Sequence, residues 1–195
     1  STSDNGSYDW SANLNNGPTW VTGKSGHALE FDGDNDYAQS TSSTSSHNGE
    51  VTIEAWIYFD TLSSNEKCIY TWGTAVLIFC INSEKLYLKA YSSSYGYAYL
   101  TGSTALSNST WYHVAATFSE SNDVMKVYVN GAEDGRFSIH SSYELYHWGG
   151  NSYISFDGWW GGHYFEGIID EVRVSNVART AFNVPDNIIF NGFYE

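Results

Sequence analysis

Apolar and polar residues alternate along this chain with a period of two. Val51, Ile53, Ala55, Ile57 and Phe59 interleave with Thr52, Glu54, Trp56 and Tyr58, which predicts a strand with one face buried and one outward. Leu86 to Tyr91 and Met125 to Val129 repeat the pattern. Asn130-Gly131 directly after the latter predicts a two-residue hairpin turn, because both residues tolerate positive φ. Helical periodicity is almost absent, and only 176–182 reads as a helical turn. Short strands divided by Gly, Ser and Asn clusters predict an all-β jelly-roll sandwich of two antiparallel sheets. The chain is read as a single domain over 1–195, with 1–8 a loose N-terminal segment.

Five blocks narrow the class. They are Ala28-Leu29-Glu30-Phe31-Asp32-Gly33, Val51-Thr52-Ile53-Glu54-Ala55-Trp56-Ile57, Trp111-Tyr112-His113-Val114-Ala115, Val127-Tyr128-Val129-Asn130-Gly131 and Phe165-Glu166-Gly167-Ile168-Ile169-Asp170-Glu171-Val172. In that order they resemble the laminin-G-like domains of the concanavalin A-like lectin/glucanase superfamily, from about Asp9 to Phe182. The resemblance implies a concanavalin A-like sandwich and a structural Ca²⁺ between the N-terminal turn and the last long strand, where Asp32 and Asp170 fall.

The acidic residues also speak for themselves. Asp32, Asp34 and Asp36 alternate in a tight turn, the oxygen-rich setting a hard cation prefers; a fully solvated acidic loop is the other reading. An EF-hand is excluded, because its glycine and final glutamate positions hold Tyr37 and Ser43. On a strand of period two Asp170 shares a face with Ile168, Val172 and Val174, with Arg173 on the other. That predicts a carboxylate aimed at a packed surface, costly unless paired or metal-bound.

Aromatics supply the second functional signal. Tyr95, Tyr97 and Tyr99 alternate with Gly96 and Ala98, which predicts three phenols on one strand face. Trp159, Trp160, His163 and Tyr164 lie in a glycine-rich run, with Trp148 upstream. Flat rings beside hydroxyl and carboxylate groups suit the apolar faces and hydroxyl rims of sugars; equally, they could plug the end of the sandwich. Cys68 and Cys80 flank a turn centred on Thr74, opposite each other across a hairpin: a disulfide or two buried thiols.

Charge and the motifs that fail bound the rest. With 22 acidic against 8 basic residues the formal charge is −14, which repels nucleic acid and anionic membranes. No apolar run is long enough to span a bilayer. Gly17 to Ser25 imitates a phosphate-binding loop, but its glycines are separated by five residues where the loop needs four. The chain carries no Glu-x-Asp-x-Glu of a retaining glucanase, no Gly-x-Ser-x-Gly and no His-Glu-x-x-His. The expected protein is a non-catalytic carbohydrate-binding, lectin-like module with calcium as its cofactor. It would be extracellular, secreted or cell-surface, and part of a larger multidomain protein. Its partner would be a poly- or oligosaccharide, with no nucleic acid and no membrane insertion. A protein-binding adhesion module is the alternative, and a polysaccharide hydrolase or lyase the weaker one.

Overall fold

The structure, a computed structural model, describes residues 2–3, 11–41, 49–61, 65–73, 76–146, 150–158, 161–182 and 184. Among them there is no helix, only fifteen strands in two antiparallel sheets. Sheet A runs in the order β1 (Thr2–Ser3), β2 (Ser11–Asn15), β5 (Tyr37–Ser40), β14 (Tyr153–Ile154), β7 (Lys67–Trp72), β8 (Leu77–Asn82), β9 (Lys85–Ser92), β10 (Gly96–Thr101). Sheet B runs β13 (Ala132–Ser138), β12 (Val124–Val129), β11 (Tyr112–Ser119), β6 (Glu50–Tyr58), β15 (Glu166–Ser175), β4 (His27–Asp32), β3 (Thr19–Thr22).

The inward set of each strand builds one core. Val51, Ile53, Ala55 and Ile57 of β6 meet Val114, Ala116 and Phe118 of β11 and Leu77, Phe79 and Ile81 of β8, all buried. Phe31, Phe59, Phe79, Phe118 and Phe165 are enclosed completely; such side chains stabilise by about 1.5–3 kcal/mol each. The Asn130-Gly131 turn forms as expected, both residues at positive φ, with Val129 paired to Ala132.

Four expectations need correction. Residues 176–182 take no helical turn; they run irregularly over the outward face of β6, where Thr52 Oγ1 donates to the Val177 carbonyl and accepts from the Arg179 N–H. Strand β6 is therefore buried on both faces, including Thr52 and Glu54. Thr2–Ser3, inside the segment expected to be loose, pairs with Ser11 and Ala12. The hairpin around Thr74 is also not symmetric. Cys68 faces Cys80, but a bulge between Cys68 and Tyr70 inserts one extra residue, so that Trp72 faces Leu77. The fourth concerns β15. A bulge between Asp170 and Arg173, with Glu171 at φ 48°, breaks the period of two. Asp170 then lies opposite Trp56 and Arg173 opposite Glu54 on the same outward face, while Val172 turns inward to the core.

Cys68 and Cys80 are disulfide-bonded across this hairpin. Closing a loop with a sequence separation of 12 restricts the unfolded chain by an amount worth about 2–3 kcal/mol. Reduction, or joint replacement of both cysteines by Ala, should lower the unfolding free energy by that amount in urea titrations.

Candidate functional site

The outward face of sheet A carries the aromatics. On β9 the inward Leu86, Leu88 and Ala90 leave Tyr87, Lys89 and Tyr91 pointing out; on β10 the inward Ala98 and Leu100 do the same for Tyr97 and Tyr99. Antiparallel register sets Tyr97 against Tyr91 and Tyr99 against Lys89. The rings follow: Tyr91 and Tyr97 centroids are 4.8 Å apart, Tyr97 and Tyr99 5.9 Å, Tyr87 and Tyr99 6.2 Å and nearly parallel. Tyr146, from a later loop, closes edge-on against Tyr91. Tyr99 is half exposed at 50%. Burial pushes the Tyr87 and Tyr97 phenols up, assisted by Glu66 and Tyr99 respectively, so both remain hydroxyl donors at neutral pH.

Tyr95 does not join them. Strand β10 begins at Gly96, which takes φ 72° in the β9–β10 turn. The turn sends Tyr95 to stack on His140 at 4.7 Å and on Tyr143. Alternation in sequence places side chains on one face only within a strand.

A buried ion pair forms the floor between this surface and the loop before β15. Lys89 Nζ lies 2.5 Å from Glu66 Oε1, with Tyr87 beneath the ammonium at 5.5 Å. Beyond Glu66 comes His163, whose Nδ1 sits 2.6 Å from Oδ2 of the fully buried Asp157. Its carbonyl accepts from the Cys68 N–H at 2.8 Å, which fixes the loop alongside β7. Tyr164 stacks at 5.1 Å on Phe156 and groups with Tyr37 and Tyr153. Gly158 permits this packing: its φ is 71°, and a Cβ there would meet the Tyr153 ring at 2.9 Å. The two aromatic groups that the sequence kept apart thus share one face, linked through Glu66 and Lys89. Trp148, Trp159 and Trp160 lie outside the described residues.

The acidic residues divide. Asp32 Oδ1 accepts from the N–H groups of Asp34 and Asn35, at 2.9 and 3.3 Å, and Asp36 Oδ2 accepts from the Asp32 N–H at 3.3 Å. Asp32 and Asp36 line a groove of about 440 Å³ together with Glu30, Asp60 and Glu166; Asp34 is exposed on the turn. Asp170 is not part of it. The residue of β15 opposite Asp32 is Glu166, and four further residues carry Asp170 roughly 13 Å along the strand. Its burial is satisfied locally, by the Ser25 N–H at 3.0 Å and the Glu171 N–H at 2.8 Å. Gly23 is required there, since a Cβ would collide with Asp170 Oδ2. The imitation phosphate loop is thereby explained: Ser25 caps Asp170, and Lys24 lies over the Trp56 ring at 4.6 Å.

Sequence reading missed one cluster outright. Glu54, on the outward face of β6, is flanked by His113 Nε2 at 3.4 Å, Arg173 Nε at 3.4 Å and Arg179 Nη1 at 3.3 Å. Burial raises its carboxyl, but His113, Arg173 and Arg179 outweigh this and the net shift is downward. Phe182 covers His113 and Tyr128. Period two alone would have placed Glu54 outward; the bulge that delivers Arg173 and the segment that delivers Arg179 leave no pattern. Glu66 and Glu166 were missed for a similar reason, as each gains its role from a neighbour distant in sequence; Asp157 and Asp60 meet nearby partners, His163 and Tyr58, through loops that carry no periodic pattern.

A laminin-G family model of the concanavalin A-like lectin/glucanases superfamily matches residues 32–184. The chain belongs to this superfamily. No curated protein matches the sequence. Similar solved structures include the binding domain of Paraclostridial Mosquitocidal Protein 1, at TM-score 0.74 and 14% identity over 91% of this chain and 46% of that one. The ligand-binding domain of botulinum neurotoxin serotype D, in complex with N-acetylneuraminic acid, matches at TM-score 0.70 and 14% identity over 91% and 45%. A candidate carbohydrate-binding protein from Bacteroides ovatus matches at TM-score 0.59 and 21% identity over 88% and 44%. The chain therefore spans less than half of each of these solved chains, and at such identities the likeness establishes the fold. Among the described residues, no helix is long and apolar enough to cross a membrane.

Asp36 generates a pH prediction. Burial pushes its carboxyl above the ordinary value of 3.8; Asp32 and Asp34 add to the rise, and the Asp32 N–H only partly offsets it. An acid whose folded pKa is raised favours folding while protonated, and this contribution is lost as pH rises through the folded value. Asp36→Asn keeps the acceptor and removes the charge. It should raise the melting temperature at pH 7 without added cation, and the gain should vanish near pH 3.

Proposed function

We propose that this domain binds a neutral poly- or oligosaccharide, without catalysis, on the outward face of sheet A. The observation that carries the reading is the surface of Tyr87, Tyr91, Tyr97 and Tyr99 around the Glu66–Lys89 pair. Rigid phenol rings offer stacking area at low entropic cost, and their hydroxyls bond those of a sugar. The charge of −14 favours a neutral glycan over an acidic one. The described binding roles of structurally similar domains accord with a binding module. We read it as part of a larger secreted or surface protein.

What the carboxylates already do supports the non-catalytic reading. Those of Asp32 and Asp36 accept hydrogen bonds from their own turn, and Asp60 accepts from Tyr58 and Ser109. A freely titrating acid and base facing each other is what glycoside hydrolysis requires. The same groove fits calcium in part. Oxygen ligands of Asp32, Asp36, Asp60 and Glu166 line it without gathering into a preformed cluster, and a cation there would offset the burial and the neighbouring Asp32 and Asp34 charges that raise the Asp36 carboxyl. Asp170 does not fit such a site, since both its oxygens are engaged by N–H groups.

A glycan array with and without calcium tests the reading. Tyr99→Ala should weaken the best ligand about tenfold, or about 1.4 kcal/mol. Being half exposed, it should change stability by no more than about 0.5 kcal/mol. Unaltered affinity, or capture of proteins rather than glycans, would move the function to an adhesive one. Calcium at about 100 times its dissociation constant should stabilise by about 2.7 kcal/mol, and Asp32→Ala should remove that increment.

A further inference from the structure

We propose that Cys68, Cys80, Glu66 and His163 form a redox-gated metal site: a disulfide when oxidised and, once reduced, a site for a thiophilic divalent cation of the zinc class. Cys68 and Cys80 project from the outward face of sheet A, where with Ile78 they form a small buried cluster apart from the main core. Ligand atoms of Glu66, Cys68 and His163 all lie within 4.8 Å of one another, and Cys80 Sγ is bonded to Cys68. Bonds of about 2.0–2.3 Å around a tetrahedral zinc hold its ligands within roughly 4 Å of each other. Small side-chain rotations would close the set once the sulfurs are free to separate. Thiolate and imidazole select this class of metal, while the groove at Asp32 offers oxygen alone.

A second observation points to a metal. His163 Nδ1 is held at 2.6 Å by Asp157, which is itself fully buried and accepts from the Gly161 N–H at 3.0 Å. A carboxylate on one ring nitrogen is the arrangement that orients a metal-ligating histidine and raises the basicity of the other. Nε2 is then the ligand. Electrostatics favours both forms. Oxidised, Glu66 and Lys89 cancel. Reduced and metal-loaded, two thiolates and Glu66 balance Lys89 and a divalent cation, which leaves the one charge of Asp157, held by hydrogen bonds from His163 and the Gly161 N–H.

The conversion balances with a dithiol reductant. Two electrons and two protons pass to the Cys68–Cys80 bond, which breaks into two thiols as the reductant becomes a disulfide. Binding of the cation then releases the two thiol protons. A reducing compartment would hold the metal form and an oxidising one the disulfide, with the metal expelled as the bond forms.

Cobalt(II) titration of the full chain is the test, with the reductant a phosphine that does not compete for metal. The reduced chain should bind one equivalent with a thiolate-to-cobalt charge-transfer band that zinc abolishes; the oxidised chain should show none. His163→Gln and Asp157→Asn should each weaken binding, the latter by about 10–100-fold. Joint Cys68→Ser and Cys80→Ser should keep the β-sheet circular dichroism and bind no cobalt with a thiolate band. Equal binding by reduced and oxidised chains, or wild-type affinity in His163→Gln, would overturn the proposal. So would loss of the β-sheet signal in the reduced, metal-loaded chain.

Discussion

The surface features of this domain depend on the apolar seam between its two sheets. Side chains of a strand alternate, so burying one set commits its neighbours to the opposite face. Once Leu86, Leu88, Ala90, Ala98 and Leu100 enter the core, the tyrosines of β9 and β10 have only the outward face of sheet A to occupy. The aromatic surface is held in register by the core behind it.

Two bulges then adjust what simple alternation would place. In β7 an extra residue lets Cys68 face Cys80 while Trp72 still closes the hairpin against Leu77. In β15 another turns Arg173 to the face of Glu54 and leaves Val172 to the core. Bulges break the period locally and re-aim side chains. Here one helps to gather a charged cluster under 176–182. That segment covers the outward face of β6, whereas the outward face of sheet A presents rings such as Tyr99 to solvent.

The proposed ligand face and cysteine cluster share Glu66, the cation groove uses other residues, and all three share a design. Each is built where a loop returns onto the end or face of a strand. The loop before β15 brings Asp157 and His163 to β7. The turn after β4 brings Asp36 back to Asp32. Such sites depend on loop–strand closure, and the rigid sheets beneath supply the fixed half of each.

The sequence by itself determined the sandwich, the strands β6, β9, β11, β12 and β15, the Asn130-Gly131 turn and the superfamily. These are local features, readable from period two, positive-φ residues and ordered blocks. It also placed Tyr97 beside Tyr99 and Asp36 beside Asp32 within their own segments. Tertiary structure alone decided which of these segments meet. Asp170 read as a partner of Asp32, but the antiparallel register gave Asp32 to Glu166 and left Asp170 to Ser25. Tyr95 read as a third ring, but the strand begins one residue too late to include it. Glu66, Lys89 and Glu54 carried no signal, because their partners lie far along the chain, and Asp157 none because it meets His163 through an irregular loop. Register and loop closure set those distances, and neither is encoded in the spacing of residues within one strand.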